Sequence, residues 1–104
     1  KSTMKPLLIT PDQRSIKEVD IDGLDDIVRL VGFDSITSDE IGPEGDRLFF
    51  DEECFLRGTT GRFQIDTVIP VSGVGVVVGS ADGGESLRDA VSDTASIQSR
   101  LKYL

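Results

Sequence analysis

The spacing of apolar residues predicts short strands in the first half of this chain. Apolar or β-branched runs bounded by turn-forming residues are typical of strands. Such runs are Leu7–Thr10, Ile16–Ile21, Ser35–Ile41 and Arg47–Asp51. The first and second runs are separated by Pro11-Asp12-Gln13-Arg14, and the third and fourth by Gly42-Pro43-Glu44-Gly45-Asp46. Both connecting segments are rich in residues that favour turns, so the pattern predicts two β-hairpins.

The second half predicts a strand buried on both faces. Phe63-Gln64-Ile65 is predicted to form a short strand, and Val68–Val71 is apolar, with Pro70 marking an edge or a strand start. The run Gly75–Gly79 is β-branched and shows no polar alternation. Because an exposed face requires polar residues at alternate positions, we expect this run to be the central strand of the sheet.

A first helix is predicted between the two hairpins. Asp22 has the side chain of a good N-cap, and Gly32 is placed to end the helix in the left-handed conformation. The positions of its apolar stripe are Leu24, Ile27, Val28 and Val31. This i, i+3, i+4, i+7 spacing puts the stripe on one face.

A second helix is predicted to run to the C-terminus. Ser86 and Asp89 resemble a capping box at its start. Its apolar positions are Leu87, Ala90 or Val91, Thr94, Ile97, Leu101 and Leu104. The stripe is thin, so we expect the helix to lie on the sheet, and its apolar seam is a candidate contact for a homo-oligomer.

Together these elements predict an α+β fold. We expect a mostly antiparallel sheet of about five strands with two packed helices. Length favours a single domain over residues 4–104. Lys1–Thr3, which precede Met4, are left outside the fold.

Composition excludes several classes of function. The chain has 104 residues with 19 acids, 11 bases and no histidine, for a net charge of −8. This balance disfavours nucleic acid and anionic membranes as partners, and the absence of histidine removes His-based triads and His-ligated metal sites. The lone cysteine, Cys54, fits a reducing compartment, and with neither a membrane span nor a leader expected we predict a cytoplasmic protein.

The negative charge is concentrated in the middle of the chain. Residues 25–55 contain ten acids and two bases, a net of −8, so the rest of the chain is neutral overall. Such a block is explained by a solvated face, by adaptation to high salt or by an interaction surface. Our functional hypothesis is the last: a non-enzymatic module that binds a basic host protein. The residues of this predicted surface are Asp39, Glu40, Glu44, Asp46, Asp51, Glu52 and Glu53.

An alternative is a small-ligand or anion binder, or an enzyme. Arg57 and Arg62 flank a Gly-Thr-Thr-Gly loop, which is a weak candidate anion site, and Gly73–Gly79 is rich in glycine. However, dinucleotide-binding glycines lie between a strand and a helix, whereas these flank a strand. Catalytic carboxylates need a desolvated pocket, which an exposed acidic hairpin does not provide. We therefore expect no catalytic residues, no cofactor and no metal.

The order of motifs resembles a family of short proteins of unknown function, carried mainly by bacteriophages, plasmids and other mobile elements. The resemblance covers most of residues 4–82. The matching segments are Met4–Ile9, Pro11-Asp12, Ile16–Ile21, Asp22–Val28, Leu48–Glu53, Ile69–Gly73 and Val76–Gly79. These motifs are fold signatures and carry no catalytic residue. The resemblance implies an accessory protein of a mobile element that acts inside a bacterial cell.

Overall fold

The computed structural model describes residues 5–41, 45–56, 61–66, 70–80 and 87–104. Within these ranges the chain forms strands, two α-helices and a 3₁₀ turn at Cys54–Leu56. The strands are β1 (Leu7–Thr10), β2 (Ser15–Glu18), β3 (Ile36–Glu40), β4 (Asp46–Asp51), β5 (Arg62–Ile65), β6 (Val71–Ser72), β7 (Gly75–Gly79) and β8 (Leu101–Tyr103). The helices are α1 (Leu24–Val31) and α2 (Thr94–Arg100).

The larger sheet has five strands in the order β2-β1-β7-β4-β3, and every neighbouring pair is antiparallel. Both predicted hairpins are present, as β1–β2 and β3–β4. The prediction for Gly75–Gly79 is confirmed, because β7 lies in the middle of the sheet and all five of its residues are buried. The predicted α+β class is therefore confirmed, with a smaller second sheet in addition.

Successive side chains of each strand point to opposite faces of this sheet, and an apolar core lies on each face. In β4, Leu48 and Phe50 belong to one apolar cluster, whereas Phe49 belongs to the other. Helix α1 covers the Phe49 face with Ile27 and Val31. The smaller sheet, in the order β6-β5-β8, covers the opposite face together with α2. The result is a layered α+β arrangement with the five-stranded sheet in the middle.

Helix α1 ends as predicted but begins one residue later. Its N-cap is Gly23, whose position has no side chain to cap the helix, rather than Asp22. The carboxylate of Asp26 accepts a hydrogen bond of 2.7 Å from the backbone N–H of Asp22, which fixes the chain just before the helix. Gly32 ends the helix at φ 92°, a conformation that favours glycine.

The predicted C-terminal helix is largely wrong. Only Thr94–Arg100 is helical, with Asp93 as its N-cap, and residues 101–103 form β8. Residues 87–93 are not helical because tertiary contacts hold their backbone: Arg88 exchanges two hydrogen bonds with Gly79. The predicted capping residue Ser86 lies outside the described residues.

The apolar seam predicted for a homo-oligomer is therefore not a helix face. Ile97 is fully buried in the core, and Leu101 packs against the same cluster from β8. Leu87 packs on the opposite face of the larger sheet. Because these positions lie in different layers, the single apolar helix face that was predicted is wrong, and a homo-oligomer stays a prediction.

Tyr103 provides a test of the β8 assignment. It is the only tyrosine, and in β8 it pairs with Phe63 and packs against the core. Burial raises its pKa, and the guanidinium of Arg14, 5.8 Å from the ring centre, partly offsets the increase. We expect an absorbance titration to give a pKa above the ordinary value of about 10, and Arg14→Gln to raise it further.

The raised pKa of Tyr103 determines how the stability of the protein changes at alkaline pH. The folded state holds the phenol proton to higher pH than the unfolded state does, so the stability contributed by Tyr103 is lost as pH rises from about 10 through the folded pKa. Tyr103→Phe should remove this alkaline loss. A tyrosine that titrates as in a free peptide would instead fit an exposed C-terminal helix.

Candidate functional site

The seven acids predicted to form one surface separate into buried and exposed residues. Asp46 and Asp51 are only 2% and 3% exposed. Glu40, Glu52 and Glu53 are exposed, and Asp39 is half-buried. Glu44 lies outside the described residues. The expectation that all seven face solvent is thus wrong for Asp46 and Asp51.

Asp46 connects the β3–β4 hairpin to the segment that leads into α2. One carboxylate oxygen accepts a hydrogen bond of 2.7 Å from the backbone N–H of Val91, and the other accepts one of 2.9 Å from Ser92. These N–H groups belong to residues without a helical or sheet partner. The carboxylate therefore replaces secondary-structure bonds that this segment lacks.

Asp51 closes the other end of the same hairpin. Its Oδ1 accepts hydrogen bonds from the Ser35 hydroxyl, at 2.5 Å, and from the backbone N–H of Glu53, at 3.0 Å. The Glu53 bond spans two residues, as in an Asx turn, and it directs the chain out of β4 into the 3₁₀ turn. Asp46 and Asp51 are consequently structural residues of the hairpin.

The exposed acids lie along β3, at one edge of the larger sheet. Among the described strands, β3 pairs only with β4. Asp34 precedes β3 and Glu40 ends it, while the chain at Glu52 is fixed beside the start of β3 by a backbone hydrogen bond to Ser35. We call this set of side chains the acidic edge: Asp34, Asp39, Glu40, Glu52 and Glu53. Asp34, an acid adjacent to the predicted strand, was not among the predicted surface residues.

Four of the five acids of the acidic edge have no ion pair with a residue that the structure describes. The ion pairs of the described residues include Lys5–Asp20, Arg29–Asp26 and Arg100–Asp66, none of which involves an acid of this edge. The guanidinium of Arg100 also donates a hydrogen bond to the carbonyl of Ile41, the residue after β3. Within the described ranges, no ion pair reaches Asp34, Asp39, Glu40 or Glu52. Arg47, which lies opposite Glu40 in the register, instead donates hydrogen bonds to the Ser38 hydroxyl, at 3.0 Å, and the Ser38 carbonyl, at 3.2 Å.

The alternative anion site is only partly described. Arg57 and the loop after it lie outside the described residues. The guanidinium carbon of Arg62 is 5.2 Å from the centre of the Phe55 ring, a cation–π distance. Arg62 therefore has a stabilising contact within the protein, and the anion site remains a prediction.

The glycines of β7 are explained by packing. A Cβ added at Gly75 would lie 2.6 Å from Cζ of Phe63 and 2.9 Å from Cδ1 of Leu48. One added at Gly79 would lie 2.4 Å from the backbone oxygen of Asp89. Both positions need a residue without a side chain because neighbouring groups fill the space, so the glycine content gives no support to a ligand loop.

Depressions beside α1 are shallow and open to solvent. One is lined by Asp22, Leu24 and Arg29 among others, and the second by Val28 and Phe33 among others. No group of three or more residues suited to hold a metal ion occurs in the described ranges. In the same ranges, none of the helices has the length and apolar character needed to span a bilayer.

The fold thus defines an α+β protein in which four carboxylates at one sheet edge, those of Asp34, Asp39, Glu40 and Glu52, have no ion pair with a described residue. Comparison with protein-family models, curated proteins and solved structures found no significant match. The resemblance to the mobile-element family therefore stays a prediction that rests on the sequence motifs alone.

Proposed function

We propose that this protein is a non-enzymatic binding module whose acidic edge binds a basic partner protein. The observation that carries the proposal is the set of four carboxylates, at Asp34, Asp39, Glu40 and Glu52, for which no described residue supplies an ion pair. The resemblance in the sequence adds the proposed context, an accessory protein of a mobile element acting on a host protein inside a bacterial cell.

The electrostatic argument rests on position rather than on total charge. Like charges on one sheet edge repel each other, and a cation delivered by a partner relieves that repulsion. Elsewhere, some exposed acids, such as Asp20 and Asp66, have an ion-pair partner within the chain, whereas others, such as Asp12 and Asp25, have none among the described residues. The acidic edge differs because its unpaired carboxylates follow one edge strand, where a single basic segment can meet several of them, which favours fast, salt-sensitive association.

Charge-matched variants test this function. The edge-neutral variant carries Asp39→Asn, Glu40→Gln and Glu52→Gln. The remote-neutral variant carries Asp12→Asn, Glu18→Gln and Asp25→Asn, which remove three exposed carboxylates away from β3. Each protein is immobilised and used to capture proteins from a bacterial lysate at about 50 mM salt and again at about 300 mM.

We expect the wild-type protein and the remote-neutral variant to capture the same basic proteins at low salt. The edge-neutral variant should lose them, and high salt should release them from every protein, because screening weakens exposed charge pairs. Capture of the same set by the edge-neutral variant would show that the acidic edge is only a solvated face.

A further inference from the structure

The outer edge of β3 has main-chain groups available for another strand. Ile41 donates its backbone N–H to Asp46, and the Ser35 carbonyl accepts from Glu52. Ile41 and Ser35 both have odd numbers. In a strand, successive residues direct their N–H and C=O groups alternately to one side and to the other. The odd residues of β3 therefore bond to β4, whereas the even residues, Ile36, Ser38 and Glu40, direct their N–H and C=O groups outward.

Little of the described chain covers this edge. One outward group, the Ser38 carbonyl, accepts a hydrogen bond of 3.2 Å from the Arg47 guanidinium, and a carbonyl oxygen can accept a second. No backbone hydrogen bond between described residues reaches the outward groups of Ile36, Ser38 or Glu40. The opposite edge strand, β2, differs because α2 packs against it. An exposed edge of this kind is a template for strand addition unless its side chains prevent it.

We propose that the basic partner binds by adding an extended segment to β3 as a sixth strand of the larger sheet. This inference rests on the proposed function and specifies how that function is performed. Main-chain hydrogen bonds to Ile36, Ser38 and Glu40 give affinity, and the carboxylates select a basic segment. Asp39 and Glu40 are adjacent, so their side chains lie on opposite faces of the sheet.

The positions of the acids define the segment that fits. Asp34 and Glu40 are separated by six residue steps, or about 20 Å at the rise of a strand. An antiparallel segment of seven residues covers this length. Two consecutive basic residues would lie opposite Glu40 and Asp39, and a further basic residue would lie opposite Asp34, with β-branched residues between them.

Charge argues against a second copy of this chain as the occupant. Antiparallel self-pairing centred on Ser38 would bring the acidic edges of both copies together. Like charges across a strand pair are destabilising. The same acids that attract a basic segment therefore prevent the edge from pairing with itself.

The probe is a capped peptide with the sequence Lys-Lys-Thr-Val-Thr-Val-Lys, the basic peptide. In the proposed register its first, third and fifth residues direct their N–H groups toward β3, and its second and fourth direct theirs away. One derivative is N-methylated at the third and fifth residues. The matched control is N-methylated at the second and fourth, so the two derivatives have the same charge and composition.

We expect the control derivative to bind about as tightly as the basic peptide, and the derivative methylated toward β3 to bind about tenfold more weakly or worse, because it loses two main-chain donors. Amide hydrogen exchange measured by NMR should show new protection at Ile36, Ser38 and Glu40 on peptide binding. Thr37 and Asp39, already bonded to β4, should change little.

Three results would overturn strand addition. They are equal binding of the two derivatives, failure of the basic peptide to bind, and binding without new protection of the β3 amides. Concentration-dependent protection of the same amides without peptide would show that a second copy occupies the edge. If the lysate capture depends on the acidic edge while the derivatives bind equally, the proposed function stands and only this binding mode is wrong.

Discussion

Asp46→Ala should lower the free energy of unfolding by about 3 kcal/mol, because two main-chain N–H groups lose a charged acceptor in a part-buried position. The carboxyl group itself is almost fully buried, so water cannot replace it without a local rearrangement. Asp46→Asn keeps one acceptor oxygen and should lose about half as much. Urea denaturation measures both effects as a shift in the midpoint at unchanged slope.

The control for this prediction is Glu40→Ala in the same hairpin. Glu40 is exposed, and its side chain has no hydrogen bond to a described residue, so its removal should change stability by no more than about 0.5 kcal/mol. A wild-type urea midpoint for Asp46→Ala would mean that this carboxylate does not hold Val91 and Ser92. Asp46 would then belong with the exposed acids.

Phe63→Ala should cost about 3–5 kcal/mol, because Phe63 is fully buried between the two sheets and its loss leaves a cavity. In the wild-type background, Gly75→Val should cost about 1–3 kcal/mol, since its Cβ would lie 2.6 Å from the Phe63 ring. In the Phe63→Ala background the same change fills vacated space. The double variant should therefore be more stable than the sum of the two single losses predicts.

This cycle also tests the alternative function. Leu56→Ala is the control, because Leu56 is 80% exposed and its truncation should change stability by no more than about 0.5 kcal/mol. Additive losses for Phe63→Ala and Gly75→Val would show that packing against Phe63 does not explain the glycine. A ligand role for Gly73–Gly79 would then regain support.

The sequence predicted the larger sheet well because its signals are local and strong. The turn residues between β1 and β2 fix a hairpin without help from the rest of the chain. The apolar run of β7 has no polar residue for an exposed face. It is therefore stable only in the interior of a sheet whose two faces are both covered. Gly32 was recognisable as a helix end because few other residues adopt its φ of 92°.

The C-terminal segment was predicted poorly because tertiary contacts override its helical pattern. The i, i+3, i+4 spacing continues from Leu87 to Leu104, yet Arg88 bonds to Gly79 and Leu101 pairs with Ile65. Those contacts join residues far apart in sequence, and no local propensity encodes them.

The sequence indicated which segment carries the acids of the candidate site, but not which of those acids are exposed. Concentration of acids in residues 25–55 identified the β3–β4 hairpin. Counting charges cannot separate Asp46 and Asp51, which bond to backbone N–H groups, from Glu40 and Glu52, which face solvent. One signal was available for Asp51: an acid at the end of a strand, before a turn, is typical of an Asx turn.

The most direct test of the acidic edge is calorimetric titration of the basic peptide into the wild-type, edge-neutral and remote-neutral proteins at about 50 mM and about 300 mM salt. We expect the wild-type and remote-neutral proteins to bind with similar affinity at low salt and much more weakly at high salt. The edge-neutral protein should bind about tenfold more weakly or worse at low salt, with little further dependence on salt. Equal affinity of the edge-neutral and remote-neutral proteins would contradict the account, because total charge rather than the β3 edge would then determine binding.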